Sequence, residues 1–252
     1  MSTIAGITGP LGHVGARATP FLQLVHDGSG LGALQEVLRS ALTNPAFLAV
    51  WGVLVCGSLA VLAWDLRTNN SMLGSLMKYV WGFTVLYSGP LGLLVYWYSG
   101  RAQIAHDSLW RRGFRSVSHC YSGCGAGEIT GVVIAVGLLS LGKLPVALIT
   151  FTFAFVFGYT MTVGPLLEDG VGFGEALADA FYSETASIAM MEVVAISTDL
   201  WLAGEATMGD VLFWSVLVFS LTMGLLAAYP VNVLLLKRGV KEGMMNPREM
   251  AS

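Results

Sequence analysis

The stretch VLFWSVLVFSLTMGLLAAYPVNVLLL, residues 211–236, decides the fold. It runs for 26 residues without a charge. At 1.5 Å rise per residue, about 20 apolar residues cross the hydrocarbon core, and a helix satisfies its own backbone there. The rest of the chain agrees. Of 252 residues, 12% are charged, about half the ~25% of a soluble domain. Hydrophobic residues make up 55%, and mean hydropathy is +0.69. Too few polar side chains remain to cover a water-facing surface. A net charge of −3 leaves no basic footprint for nucleic acid. The lipid bilayer is the expected partner.

Working outward, five more windows qualify: Ala46–Trp64, Tyr79–Ser99, Val117–Leu141, Leu144–Gly164 and Leu177–Ala203. The reading is an all-α, polytopic helical bundle of about six transmembrane helices in the inner (plasma) membrane. It comprises an N-terminal arm (1–45), two membrane helices (46–99), a basic cytoplasmic loop (100–116), a four-helix core (117–236) and a cytoplasmic tail (237–252). With six spans, Arg17, Arg39, Arg101, Arg111, Arg112, Arg115, Lys237, Arg238, Lys241 and Arg248 fall on one side, against Arg67, Lys78 and Lys143. The positive-inside rule then puts both termini in the cytoplasm.

Leu34, Val37, Leu38 and Leu42 recur at helical spacing and predict an amphipathic helix on the inner surface. Asn44-Pro45 opens the first span, because proline is tolerated in a first helical turn. Ala102–Phe114 reads as a second interfacial piece. Pro90 should kink the second span, and Pro230 the sixth.

Five charged residues fall inside the windows, all acidic: Glu128, Asp179, Glu184, Glu192 and Asp199. A charge at mid-bilayer costs ~2.5–3.5 kcal/mol, so each needs a partner or a proton. No lysine or arginine lies inside the windows to pair with them. At 100° per residue, Glu184, Met191, Glu192 and Asp199 share one face while Asp179 points away, which suggests a cation path or proton relay. Glu128 and Glu184 are expected at similar depth.

The third window opens on His119-Cys120-Tyr121-Ser122-Gly123-Cys124-Gly125-Ala126-Gly127-Glu128. Cys120, Cys124 and Glu128 stack at i, i+4 and i+8, with His119 to one side. Thiols, imidazole and carboxylate suit Cu or Zn, so His119, Cys120, Cys124, Glu128 and Met191 are candidate ligands of a transition-metal ion. Placement at a helix N-terminus after three arginines would also lower the thiol pKa. Covalent c-type haem is not indicated, since the motif is not Cys-x-x-Cys-His. Tyr229 and Asn232 should reach the same depth, provided that the third, fifth and sixth spans touch. Cys56 reads as packing, His13, His26 and His106 as solvated, and the methionines Met244, Met245 and Met250 as an ordinary tail.

Several strings resemble a known family. They are His119-Cys120-x-x-Gly123-Cys124-x-x-Gly127-Glu128, Phe157-Gly158-Tyr159, Ser187-Ile188-x-x-Met191-Glu192-Val193-Val194, and Leu212-Phe213-Trp214 with Tyr229-Pro230-Val231-Asn232 to Arg238-Gly239. Over about residues 115–245 the chain resembles the prokaryotic membrane family known as domain of unknown function 4396. Members often read Met-Glu-Ile-Val-Asp-Asn where this chain has Met191-Glu192-Val193-Val194-Ala195-Ile196. The resemblance implies a fold and site positions, not a reaction. The residues themselves leave three functions open. They are metal transport or homeostasis, a membrane thiol oxidoreductase using Cys120 and Cys124, and an accessory subunit binding a membrane partner or a second copy.

Overall fold

The structure, a computed structural model, describes residues 29–244 and 246–248. His13, His26, Met245 and Met250 lie outside the described residues. The chain divides into two compact units, Met1–Val37 and Leu38–Ser252, and the core and the candidate site lie in the second. The described residues are helical, without strands. Five helices are long and apolar enough to cross a membrane.

Helix α1 (Ser29–Thr43) carries the expected amphipathic pattern. Asn44 caps the next helix, α2 (Pro45–Thr68), its side chain accepting hydrogen bonds from the amides of Ala46 and Phe47, with Pro45 at the first position. Little of α2 is buried: Val53 is 72% exposed and Cys56, expected to pack, faces outward. Such an apolar, unpartnered surface suits contact with lipid tails.

The second window is not one span. Its helix stops at Ser88, and a separate one starts at Pro90, giving α3 (Ser75–Ser88) and α4 (Pro90–Ser99). The break lies at Gly89, whose φ of +56° is one that L side chains rarely adopt. Pro90 therefore opens a helix instead of kinking one. The two helices fold back on each other. Trp81 and Tyr96 meet edge to face with ring centroids 5.3 Å apart. A Cβ on Gly92 would sit 2.5 Å from the Thr84 carbonyl oxygen, so only glycine permits this approach. At 14 and 10 residues, the arms measure about 21 and 15 Å, and neither spans ~30 Å.

Both outer ends of this hairpin meet the last turn of α2. There buried Asp65 accepts hydrogen bonds from Tyr96 Oη at 2.7 Å, Asn69 Nδ2 at 2.8 Å and Asn70 Nδ2 at 2.8 Å. Asp65 also pairs with Arg101 at 3.0 Å. The tip at Gly89 reaches Trp51 and Val55 on α2.

Four long helices complete the body: α5 (Leu109–Val132, continuing as a π-helical turn Val133–Leu138), α6 (Lys143–Glu168), α7 (Phe173–Ala203) and α8 (Val211–Lys237). Ala102–Phe114 is not a separate interfacial helix, because α5 begins at Leu109, capped by Ser108. Glycines bring α5 and α6 together: a Cβ on Gly127 would lie 2.4 Å from the Phe153 carbonyl oxygen. Helix α8 runs through Pro230.

The hairpin doubles back on itself, and this changes which ends of the bundle lie together. Arg39 Nε donates to the Leu202 carbonyl at 2.7 Å, and Ser215 Oγ donates to the Leu42 carbonyl at 2.7 Å, so the start of α2 sits where α7 ends and α8 begins. The tail after α8 instead meets the first turns of α5, through Arg112 to the Glu242 carbonyl and Arg115 Nε to the Met244 carbonyl at 3.4 Å. The start of α2 and the C-terminal tail therefore occupy opposite ends of the bundle, whereas six crossings would put them at the same end.

Candidate functional site

Helices α5 and α7 run parallel, and their polar residues meet in a constant register. Cys120 donates its thiol to Glu184 Oε2 at 2.6 Å. Two turns on, Glu128 faces Glu192. Glu184 is therefore level with Cys120, not with Glu128. Helix α8 closes the third side: Ser116 Oγ donates to Asn232 Oδ1 at 2.9 Å, and Asn232 Nδ2 donates to Ser187 Oγ. The expected contact of these three helices is present, and Asn232 sits at its centre. Tyr229 does not: its ring stacks on Phe114 at 4.0 Å, and its hydroxyl donates to the Trp110 carbonyl at 3.4 Å.

Sequence reasoning missed the central cation. Lys241 lies four residues beyond α8, yet it is 8% exposed. Its ammonium donates to Glu184 Oε2 at 2.6 Å, Asn232 Oδ1 at 3.1 Å and Cys120 Sγ at 3.5 Å. The chain turns back through Gly239 (φ +68°) and Gly243 (φ +79°), on either side of the lysine. That Gly-Val-Lys-Glu-Gly pattern was the available signal. Burial would lower the Lys241 pKa, but the Cys120 and Glu184 groups beside it outweigh this and hold it above the usual lysine value. Thr162 Oγ1 donates to Glu184 Oε1 at 3.3 Å, and His119 lies beside the same carboxylate, close to the Met161 carbonyl.

A second level follows toward the other end. Glu192 is fully buried, and neither of its carboxylate oxygens receives a hydrogen bond of ordinary geometry. Cys124 and Glu128 are the groups that face it, and Glu128 Oε2 also lacks a donor. Met191 is fully buried in the apolar packing with Cys120, Cys124, Ile188 and Leu221. Glu128 then opens on a cavity of about 280 Å³, lined also by Asp199, Thr150, Lys143, Glu205 and Thr207. Asp179 is exposed and points away, as its helical phase implies.

Two chemical expectations change. The cysteines do not stand at a helix N-terminus: Cys120 lies eleven residues into α5, and the dipole effect fades beyond the first turn. Nor do the candidate ligands converge. Among the described residues, no three of His, Cys, Asp and Glu are grouped to hold a metal ion. Cys120 and Cys124 are free, buried thiols.

The residues that build both levels fall in one stretch of sequence, from α5 to Lys241. Residues 109–241 match the family model described as Domain of unknown function (DUF4396). The chain belongs to this family. No curated protein and no solved structure matches it. The DUF4396 segment begins with the first residue of α5 and ends at the buried lysine. It therefore holds every side chain of the site, while α1, α2 and the hairpin precede it.

Proposed function

We propose that this DUF4396 protein is a membrane cation-handling protein that moves protons along the α5–α7–α8 axis. Glu192 carries the reading, being fully buried with neither oxygen receiving a hydrogen bond of ordinary geometry, and with the Cys124 thiol and Glu128 facing it. Two facing carboxylates without a cation cannot both stay charged in a low-dielectric interior, so Glu128 and Glu192 hold at least one proton between them. Asp199 and Glu128 would receive protons from the cavity at one end, and Glu184 would deliver them at the other.

On this reading five helices span the membrane, and the α3–α4 hairpin enters and leaves on one side. Its irregular tip, covered by Trp51 and Val55, suits such a segment. Arg67, Lys78, Arg101, Arg111, Arg112, Arg115, Lys237, Arg238, Lys241 and Arg248 then share one end, against Arg39 and Lys143 among the described residues. Positive charge assigns the ten-residue end to the cytoplasm of the inner membrane.

The test is proton uptake into liposomes with an internal pH dye, driven by a potassium diffusion potential. Wild type should acidify the lumen. Glu192→Gln should slow this by about tenfold or more, the effect of ~1.4 kcal/mol on a barrier. Equal rates in the two proteins would refute the relay.

A copper or zinc cargo is a second reading, favoured by Cys124 beside the two carboxylates, since zinc takes both donor types. These groups would have to draw together to bind it. Metal uptake into the same liposomes, abolished by Cys124→Ser, would support this reading, and its absence would remove it.

A further inference from the structure

Every contact of the Lys241 ammonium is one that a free ammonium group could make. Its acceptors are Glu184 from α7, Asn232 from α8 and Cys120 from α5, at 2.6, 3.1 and 3.5 Å. Each acceptor is held from behind. Thr162 donates to the other oxygen of Glu184, Ser116 donates to Asn232 Oδ1, and Ser187 Oγ lies 3.8 Å from the Cys120 sulfur. All three acceptors are buried. The pocket is thus preorganised by three helices, and its occupant arrives on a short tether outside them. A lysine serving only to neutralise Glu184 could stand on α8 itself. This one comes from beyond the end of α8, between two glycines with positive φ.

We propose that Glu184, Asn232 and Cys120 form a binding site for an ammonium-type cation, ammonium or a small primary amine, which Lys241 occupies as a tethered competitor. Two oxygens and one sulfur suit directed N–H donors. They are too few for a hard metal cation, which takes six or more oxygens. Withdrawal of the Gly239–Gly243 turn vacates the site and opens the cytoplasmic end of the axis to a free cation. This deepens the cation-path reading by naming a cargo class and a gate. Its test reads occupancy instead of flux, so the two ideas can fail separately.

The probe is methylammonium, the smallest mimic of the lysine head, compared with sodium at equal ionic strength. In a Cys56→Ser, Cys124→Ser background, Cys120 is alkylated with a small membrane-permeant maleimide. A lysine in place nine-tenths of the time or more shields the thiol, so Lys241→Ala should raise the rate by about tenfold or more. Methylammonium should restore protection saturably in that variant, sodium should not, and adding Glu184→Gln should abolish the effect. A rate unchanged by Lys241→Ala, or a rise indifferent to methylammonium, would overturn the proposal. Equal protection by sodium would overturn the ammonium class. Lys241→Met keeps the apolar stem if the alanine variant does not fold. On wild type, hydrogen exchange over residues 239–244 should quicken with methylammonium and not with sodium. Exchange that ignores methylammonium would also count against the site. Occupancy without proton flux would leave this site standing and remove the relay.

Discussion

At the scale of single residues, the Lys241–Glu184 pair has the most testable energetics. Both side chains are buried, at 8% and 3% exposure, and 2.6 Å apart. Breaking such a pair leaves a charge without compensation and costs about 3–5 kcal/mol, whereas replacing both partners is often close to neutral. Lys241→Met should therefore lower stability by several kcal/mol in detergent, measured by chemical or thermal unfolding. Glu184→Gln alone should also destabilise, through loss of the same pair. The double variant should recover most of the loss, giving a coupling well above ~1 kcal/mol. Additive losses would mean that the two charges do not depend on each other. The acidic half of this pair was legible in the sequence, because a carboxylate inside an apolar run is conspicuous. The basic half was not. Lys241 follows Lys237 and Arg238 in what reads as a solvated tail, and only Gly239 and Gly243 hint that the backbone reverses. Likewise Tyr229 and Asn232 share a depth but not a direction. Three residues apart on α8, one meets Phe114 and the other Ser116 and Ser187. Depth can be counted along a sequence, but which face touches which helix depends on packing.

At the scale of elements, periodicity identified α2 and α5 to α8 because each is a long apolar run. It failed on Tyr79–Ser99, equally apolar and long enough for one span. What separates a hairpin from a span there is local: Gly89 adopts a positive φ, and Gly92 lets the second arm lie against Thr84. Hydropathy averages over both. The glycines can be tested against each other. Gly92→Ala places a methyl 2.5 Å from the Thr84 carbonyl oxygen and 2.9 Å from the Val85 Cα. Backbone cannot yield cheaply, so the variant should lose about 1–3 kcal/mol. Gly57→Ala on α2 meets nothing within 4 Å and should be neutral or slightly stabilising, by up to ~1 kcal/mol. Thermal midpoints of the purified proteins would decide, and equal midpoints would mean that α3 and α4 do not pack as described. The connection between α4 and α5 is pinned separately. Arg115, fully buried, holds Asp107 at 2.5 Å and the Ser99 carbonyl at 3.1 Å. Burial works against the Asp107 carboxylate, but the Arg115 guanidinium prevails and keeps its pKa below the usual value.

At the scale of the whole molecule, the fate of that one window decides topology. With six spans, Ser40 and Glu242 would face the same compartment. With a hairpin in place of the second span, they face opposite ones, consistent with Arg39 reaching the end of α7 while Arg112 reaches the Glu242 carbonyl. The same change moves Arg39 away from the basic end and Arg67 and Lys78 toward it, so among the described residues the split becomes ten against two, where six spans give nine against three. The axis is directional in either arrangement, with the acidic cavity at one end and the lysine-capped site at the other. Single cysteines replacing the exposed Ser40 and Glu242, in a Cys56→Ser background, would test this with a membrane-impermeant maleimide. Applied to intact cells, it should label Ser40→Cys and spare Glu242→Cys, and permeabilised cells should label both. Labelling of neither from outside would restore the six-span arrangement, in which α5 to α8 still cross and only the side of α1 and the start of α2 changes. The outcome therefore bears on the N-terminal arm and α2 and leaves the axis intact: a file of carboxylates can carry charge between compartments only if its two mouths lie on different sides, and α5, α7 and α8 provide that in either arrangement.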